Sequence, residues 1–188
     1  MKKLTLPASG DDIECLKAGD SLFISGELYS ARDAAHRRMH YALQNGLDIP
    51  VALKGRAIYY MGPSPAPPGR VIGSCGPTTS KRMDKYTPLL IEHGTKVVIG
   101  KGERSQHVKE ALKHSGSIYL VTFGGAGAYL SKCVKEAEVA AYADLGTEAI
   151  WRIRVENFPA VVAYDIYGGD LFEQETARYS RSTGKAED

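Results

Sequence analysis

The segment Gly73-Ser74-Cys75-Gly76-Pro77-Thr78-Thr79-Ser80-Lys81-Arg82-Met83-Asp84 concentrates groups that can hold an anion. Its twelve residues include two glycines, a proline, four hydroxyl side chains, a lysine and an arginine. Glycines bare backbone N–H groups, hydroxyls donate, and a guanidinium offers a fork of donors to a carboxylate or phosphate. A helix beginning near Thr79 would place Arg82 in its first turn, where the backbone dipole favours negative charge. One of Thr78 and Thr79 could cap that helix while the other faces a ligand. The coincidence of strand, Gly-Pro turn, Thr-Thr and Arg favours binding over a plain turn.

Two further cations fall at similar places. Arg32 lies in the first turn of an expected helix, a position that costs an arginine roughly 0.3–1 kcal/mol unless an anion joins it. On local sequence a solvated Arg32, or one paired with Glu27 or Asp33, accounts for it better than a ligand does. His36, one turn on, is either part of the same site or a packed histidine. Lys101 sits between Gly100 and Gly102, at the carboxyl end of a strand, where open α/β sheets tend to bind ligands. An ordinary turn lysine is an equal alternative. Gly124-Gly125-Ala126-Gly127 fails the dinucleotide pattern, because the third glycine would fall on Leu130. Cys75 has no paired base in sequence and fits equally as a small buried residue.

The elements that must position these groups are those of an α/β domain. The first thirty residues are β-rich, with a strand over Ser21 to Tyr29. Ser30 reads as an N-cap with Asp33 in a capping box, and the helix runs to about Asn45 with Gly46 as its stop. Ala31, Ala35, Met39 and Leu43 form its buried stripe. Arg56 to Met61 is a strand, 62–69 a stiff proline-rich loop, and Arg70 to Gly73 a short strand. Thr87-Pro88 reads as a cap and first-turn pair for a helix stopped by Gly94. Strands follow at Lys96 to Ile99 and Ser117 to Phe123, with a helix from Arg104 to His114 between them. The stretch from Glu138 to Tyr167 reads as three strands, at Val139 to Ala143, Ile150 to Val155 and Ala160 to Tyr167. Residues 1–173 form one compact domain, and 174–188 a polar, loose tail.

Composition narrows the function. A formal charge of +2 over 188 residues argues against nucleic acid or an anionic membrane as the main partner. No apolar run is long enough to span a bilayer. The three cysteines, Cys15, Cys75 and Cys133, are dispersed and odd in number, which argues against a disulfide framework and for a reducing cytoplasm. They supply no local ligand set for a metal or cluster, so any such centre would draw its ligands from another chain.

Gly76-Pro77-Thr78-Thr79-Ser80-Lys81-Arg82-Met83-Asp84 resembles the Gly-Pro-Thr-Thr-x-x-Arg-Met-Asp signature of the iron–sulfur hydro-lyases, the class I fumarases and L(+)-tartrate dehydratases. Ser30-Ala31-Arg32-Asp33-Ala34-Ala35-His36, Tyr60 to Gly69 and Asp144-Leu145-Gly146-Thr147-Glu148-Ala149 fit the same family, and the likeness runs from about residue 3 to Phe172. At this length the chain is similar to the separate β subunit. The resemblance implies a swivelling β/β/α domain and a cluster-bearing α partner that holds a [4Fe–4S] cluster by three cysteines, in a hetero-oligomer such as α2β2. It implies reversible hydration of fumarate to L-malate, with tartrate dehydration as the alternative and a non-catalytic anion-binding or assembly module as a remoter one. By the family pattern Arg32, the segment Thr78, Thr79, Ser80, Lys81 and Arg82, and Lys101 face the small dicarboxylate. Thr78 matches the family's proton-abstracting threonine, and Lys81 occupies a variable position.

Overall fold

The structure, a computed structural model, describes residues 1–180. Seven strands form one sheet: β1 (Lys2–Leu6), β2 (Ser21–Ser30), β3 (Ala57–Tyr59), β4 (Val97–Gly100), β5 (Ile118–Val121), β6 (Val134–Ala141) and β7 (Ile150–Tyr164). Strands β1 to β5 are mutually parallel along the order β1-β2-β3-β4-β5. Strand β7 runs antiparallel to β5 and also to β2. That second pairing closes the sheet into a barrel, with β6 attached to β7. The domain is therefore α/β, as expected, with the added feature of closure.

Closure buries both faces of the short parallel strands, so they read as continuous apolar runs. Ala57, Tyr59, Val97, Ile99, Ile118 and Leu120 join the cluster that also holds Leu22, Ile24, Phe158 and Val162. Their alternating neighbours Ile58, Val98 and Tyr119 face a second cluster made with the helices. That cluster takes Ala35 and Met39 from α2 (Asp33–Gln44) and Leu90 and Ile91 from a helix at Thr87–Glu92. It also takes Val108 and Leu112 from the helix Gln106–His114. The period-two split between faces is the signature of a strand buried on both sides.

Several boundaries differ from the sequence reading. Ser30 ends β2 instead of capping α2, because it pairs with Tyr59 across the sheet and its hydroxyl donates to the Met61 carbonyl at 2.6 Å. Arg32 takes the N-cap position, and its own side chain does not cap the helix. Helix α2 does end as read, with Gly46 at φ +65°. The segment Arg70 to Gly73 forms no strand. Thr79 precedes a 3-10 turn, Ser80–Met83, without capping it. Thr87 lies inside its helix, one position beyond the cap, and its hydroxyl donates to the Met83 carbonyl at 2.9 Å.

The three expected C-terminal strands are two. Strand β7 passes unbroken through Asn157 and Pro159, where Asn157 adopts φ +49° beside a register shift. A bulge absorbs the irregularity that reads in sequence as a break. The expected polar tail begins inside a helix, Leu171–Ser180, and its remainder, 181–188, lies outside the described residues. Among the described residues no helix is long and apolar enough to cross a membrane.

Candidate active site

Because β2, β3 and β4 are adjacent and parallel, the segments that leave their carboxyl ends emerge at one edge. Arg32 follows β2, and Lys101 follows β4. Thr78 is brought back to the end of β3 by its backbone N–H, which donates to the Tyr60 carbonyl at 2.7 Å. Thr79 pairs with Lys101 as an isolated parallel bridge. The fold thus brings Arg32 and the Thr78-Thr79 pair to Lys101 from 22 to 69 positions away in the chain.

Arg32 is held without being hydrogen-bonded. Its Nε lies 4.0 Å from Asp33 Oδ2, and its Nη2 3.6 Å from Glu148 Oε1. Its Nε is buried with no hydrogen-bond partner. Its stem packs on Gly62, where an added Cβ would meet Arg32 Cδ at 2.8 Å and the Thr147 carbonyl at 2.6 Å. Glu148 itself is fixed by the Ala34 amide in the first turn of α2, which donates to Oε2 at 2.8 Å. A buried Nε–H without an acceptor is costly unless one arrives.

Arg82 is half-exposed and forms a two-point contact with Asp33. Nε donates to Oδ1 at 3.0 Å and Nη2 to Oδ2 at 2.6 Å. This uses one edge of the guanidinium and leaves the Nη1–Nη2 edge available. Asp33 therefore lies between the two arginines. A cavity of about 450 Å³ opens beside Arg82, lined by Asp33, Arg37, Arg82, Lys85, Tyr86 and Glu148, and Arg32, Thr78 and Lys101 do not line it.

Lys101 is half-buried and its stem runs past Gly124, with Cδ 3.6 Å from where a Cβ would stand. Among the described residues no group engages the Lys101 ammonium or the hydroxyls of Thr78 and Thr79. Ser80 differs from the substrate-facing expectation. It is fully buried, its hydroxyl accepts from the Lys101 N–H at 3.1 Å, and it is bonded to the Tyr119 hydroxyl at 2.8 Å. Ser80 holds Lys101 in place and does not reach the cleft. Lys81 points to solvent.

His36 resolves in favour of packing. It is fully buried, with its ring edge-on to Tyr60 at 5.0 Å. Nδ1 contacts the Arg32 carbonyl at 2.8 Å, so that nitrogen carries the proton of the neutral ring. Burial, above all, lowers its pKa to about 4. Burial pushes the Cys75 thiol up to about 12 and its Sγ faces the Gly73 carbonyl, which removes it as a nucleophile.

Sequence reading offered Asp33 as a helix cap and as a partner of Arg32, but not its two-point contact with Arg82. It also missed Arg104, which pairs with Asp84 in the interior. Glu148 lay inside a family-like stretch but carried no assigned role. Each partner is distant in sequence, and only the family-like placement of Asp33, Asp84 and Glu148 could have flagged them.

The profile of the family described as "Fumarase C-terminus" matches residues 2–175. The chain belongs to this family. Fumarase C-terminus relatives include "Fumarate hydratase class I, anaerobic" of Escherichia coli K12, 42% identical over 155 residues, which are 81% of this chain and 28% of that protein. "Fumarate hydratase 1, mitochondrial" of Leishmania major is 43% identical over the same shares. A Methanocaldococcus jannaschii protein named "Putative L(+)-tartrate dehydratase subunit beta" is 33% identical over 169 residues, 87% of each chain. These names denote hydro-lyases. The chain spans about 28% of the length of the fumarate hydratases it matches.

An iron–sulfur cluster does not fit the residues of this Fumarase C-terminus domain. Among the described residues no three His, Cys, Asp or Glu side chains converge as a ligand set, and the free cysteines Cys15, Cys75 and Cys133 range from exposed to buried.

Proposed function

We propose that this chain is the β-type half of a two-subunit fumarate hydratase, a swivelling β/β/α domain that supplies the carboxylate-holding groups. On this reading the partner α chain holds the [4Fe–4S] cluster, and the site lies where the two meet, as in an α2β2 assembly. The observation that carries it is the convergence of Arg32, Lys101, Thr78 and Thr79 at one barrel edge with their donors unengaged. The identity of 42–43% to proteins named fumarate hydratases supports the reaction, and the 33% identity to a protein named as a tartrate dehydratase subunit beta supports the two-subunit arrangement.

The residues of this chain divide the work by chemistry. Arg32 and Lys101 take the carboxylates, and Arg82 offers its free edge while Asp33 fixes the other. The Thr78 hydroxyl is the proton carrier. A neutral hydroxyl is a weak base, so it depends on a polarising neighbour, supplied by the Lys101 ammonium or by the partner. Ser80 acts through Lys101, and Lys81 has no role. The expected cytoplasmic setting suits three free cysteines.

Mixing this chain anaerobically with a partner bearing three cluster cysteines should restore fumarate consumption, read as loss of its ultraviolet absorbance. The chain alone should be inert, and robust turnover without a partner would remove the split-site reading. The tartrate alternative is favoured by one finding. The relative named as a tartrate dehydratase β subunit matches over 87% of its own length. Comparing kcat/KM on fumarate and L(+)-tartrate in the same complex decides between them.

A further inference from the structure

The residues with open donors sit on short, largely exposed arcs; Met83 contributes a buried apolar side chain from the arc Ser80–Asp84, whereas Lys101–Arg104 contributes none. Thr79, Lys81 and Arg82 are exposed, as are Gly102 and Glu103. Such arcs need anchors, because apolar packing alone does not fix them. Both ends of the arc from Ser80 to Asp84 turn inward, Ser80 at 0% and Asp84 at 8% exposure. Asp84 Oδ1 accepts from Arg104 Nε at 2.7 Å, and Oδ2 accepts from the Ser105 N–H at 2.6 Å. Asp84 thus grips the far end of the arc Lys101–Arg104, whose near end is held by Ser80.

Arg104 is itself enclosed. Its guanidinium lies 4.9 Å from the Tyr119 ring centroid and 5.2 Å from that of Tyr60. Nη2 donates to Thr87 Oγ1 at 2.7 Å, and the backbone N–H donates to the Tyr164 hydroxyl at 3.0 Å. The Tyr119 hydroxyl, bonded to Ser80, also donates to the Gly102 carbonyl at 2.9 Å. A buried charge pair is a poor source of net stability compared with apolar packing, and its best-attested use is to fix one geometry.

We propose that Asp84 and Arg104 are positioning residues, which lock the arc carrying Lys101 against the arc carrying Thr79 and Arg82. The final aspartate of Gly-Pro-Thr-Thr-x-x-Arg-Met-Asp then faces inward and registers two anion-holding segments that come from different strands. The consequence for turnover rests on the proposed dicarboxylate site, whereas the consequence for loop order does not.

The test uses the full chain, alone and with its cluster-bearing partner. In the parent chain the Lys101 and Ser105 amides should resist hydrogen exchange as the Val98 amide of β4 does, and loop-like exchange at both would overturn the proposal without any variant. Asp84→Asn strands the guanidinium and should lower the melting temperature. Asp84→Asn with Arg104→Met removes both charges while keeping buried volume, and should melt near the parent. In that double variant the Lys101 and Ser105 amides should exchange about tenfold faster relative to Val98, and KM for fumarate should rise about tenfold. A double variant with parental melting, exchange and KM would show the pair to be dispensable. If the parent complex turns over no dicarboxylate, the functional reading fails while the exchange measurements still decide the positioning role.

Discussion

Acidification should destabilise this protein through one buried side chain, His36. Its neutral ring is enclosed by Tyr60 and Tyr86, it donates to the Arg32 carbonyl through Nδ1, and its Nε2 has no partner. Burial is the main cause that lowers its pKa from 6.5 to about 4; the hydrogen bond to Arg32 opposes that shift, Arg104 adds to it, and Asp33 opposes it. The unfolded chain therefore binds a proton near pH 6.5 that the folded chain refuses until about pH 4. Stability is complete above the higher value and is lost as pH falls between the two. With these pKa values, moving from about pH 8 to about pH 5 removes about 2 kcal/mol, of a total typically about 5–15 kcal/mol. Asp12, Asp20 and Asp144, whose pKa values are lowered mainly by hydrogen bonds, lose their contribution only at or below 3.8. They do not share this window. Urea unfolding at both pH values should show the loss in the parent and not in His36→Asn, whose amide can still donate to the Arg32 carbonyl. The difference between the two proteins cancels the other four histidines. Equal slopes for parent and variant, or an NMR titration of the His36 ring near 6.5, would refute the reasoning.

Three further outcomes follow from the site. Arg82→Lys keeps the charge but loses the two-point contact with Asp33. Its side chain is 51% exposed, so stability should shift by less than about 1 kcal/mol while KM for fumarate rises about tenfold. An unchanged KM in the reconstituted complex would remove Arg82 from the clamp. Lys101→Met preserves the stem along Gly124 and removes only the ammonium. Melting should hold while kcat/KM falls at least about tenfold, and retained kcat/KM would exclude a carboxylate contact. Gly100→Ala would place a Cβ 1.9 Å from Ser80 Oγ, forcing Ser80 off Lys101. Calorimetry should register an overpacking cost of about 1–3 kcal/mol, and an unaltered melting temperature would contradict the packing described.

The parallel strands and α2 were legible because period-two and helical patterns are local. The motif Thr78 to Asp84 was legible as an anion-holding segment because its residue types are unusual at that density. What was not legible depends on partners far away in the chain. Ser80 looks like another free hydroxyl until Tyr119, 39 residues on, meets it in the interior. Asp33 reads as a helix cap until the fold brings Arg82 to it across 49 residues. Strand β7 reads as two because Asn157 and Pro159 interrupt the pattern, and only the bulge against β2 shows that pairing continues.

The order of the strands also sets what the site can accept. Arg32 leaves β2 and Lys101 leaves β4, with β3 between them carrying Thr78 at its end. Adjacent strands lie about 4.8 Å apart, so the two backbones are separated by roughly 10 Å. On the proposed reading, a four-carbon dianion with a carboxylate at each end engages both cations across that gap, with the Thr78 hydroxyl between them. On the same reading, a monocarboxylate of the same length satisfies only one of them and leaves the other cation, and at Arg32 a buried Nε–H, without an acceptor. The site should therefore discriminate against crotonate relative to fumarate mainly through kcat/KM, by at least about tenfold for the lost charged contact. Comparable kcat/KM for the two acids in the reconstituted complex would mean that Arg32 and Lys101 do not divide one substrate between them.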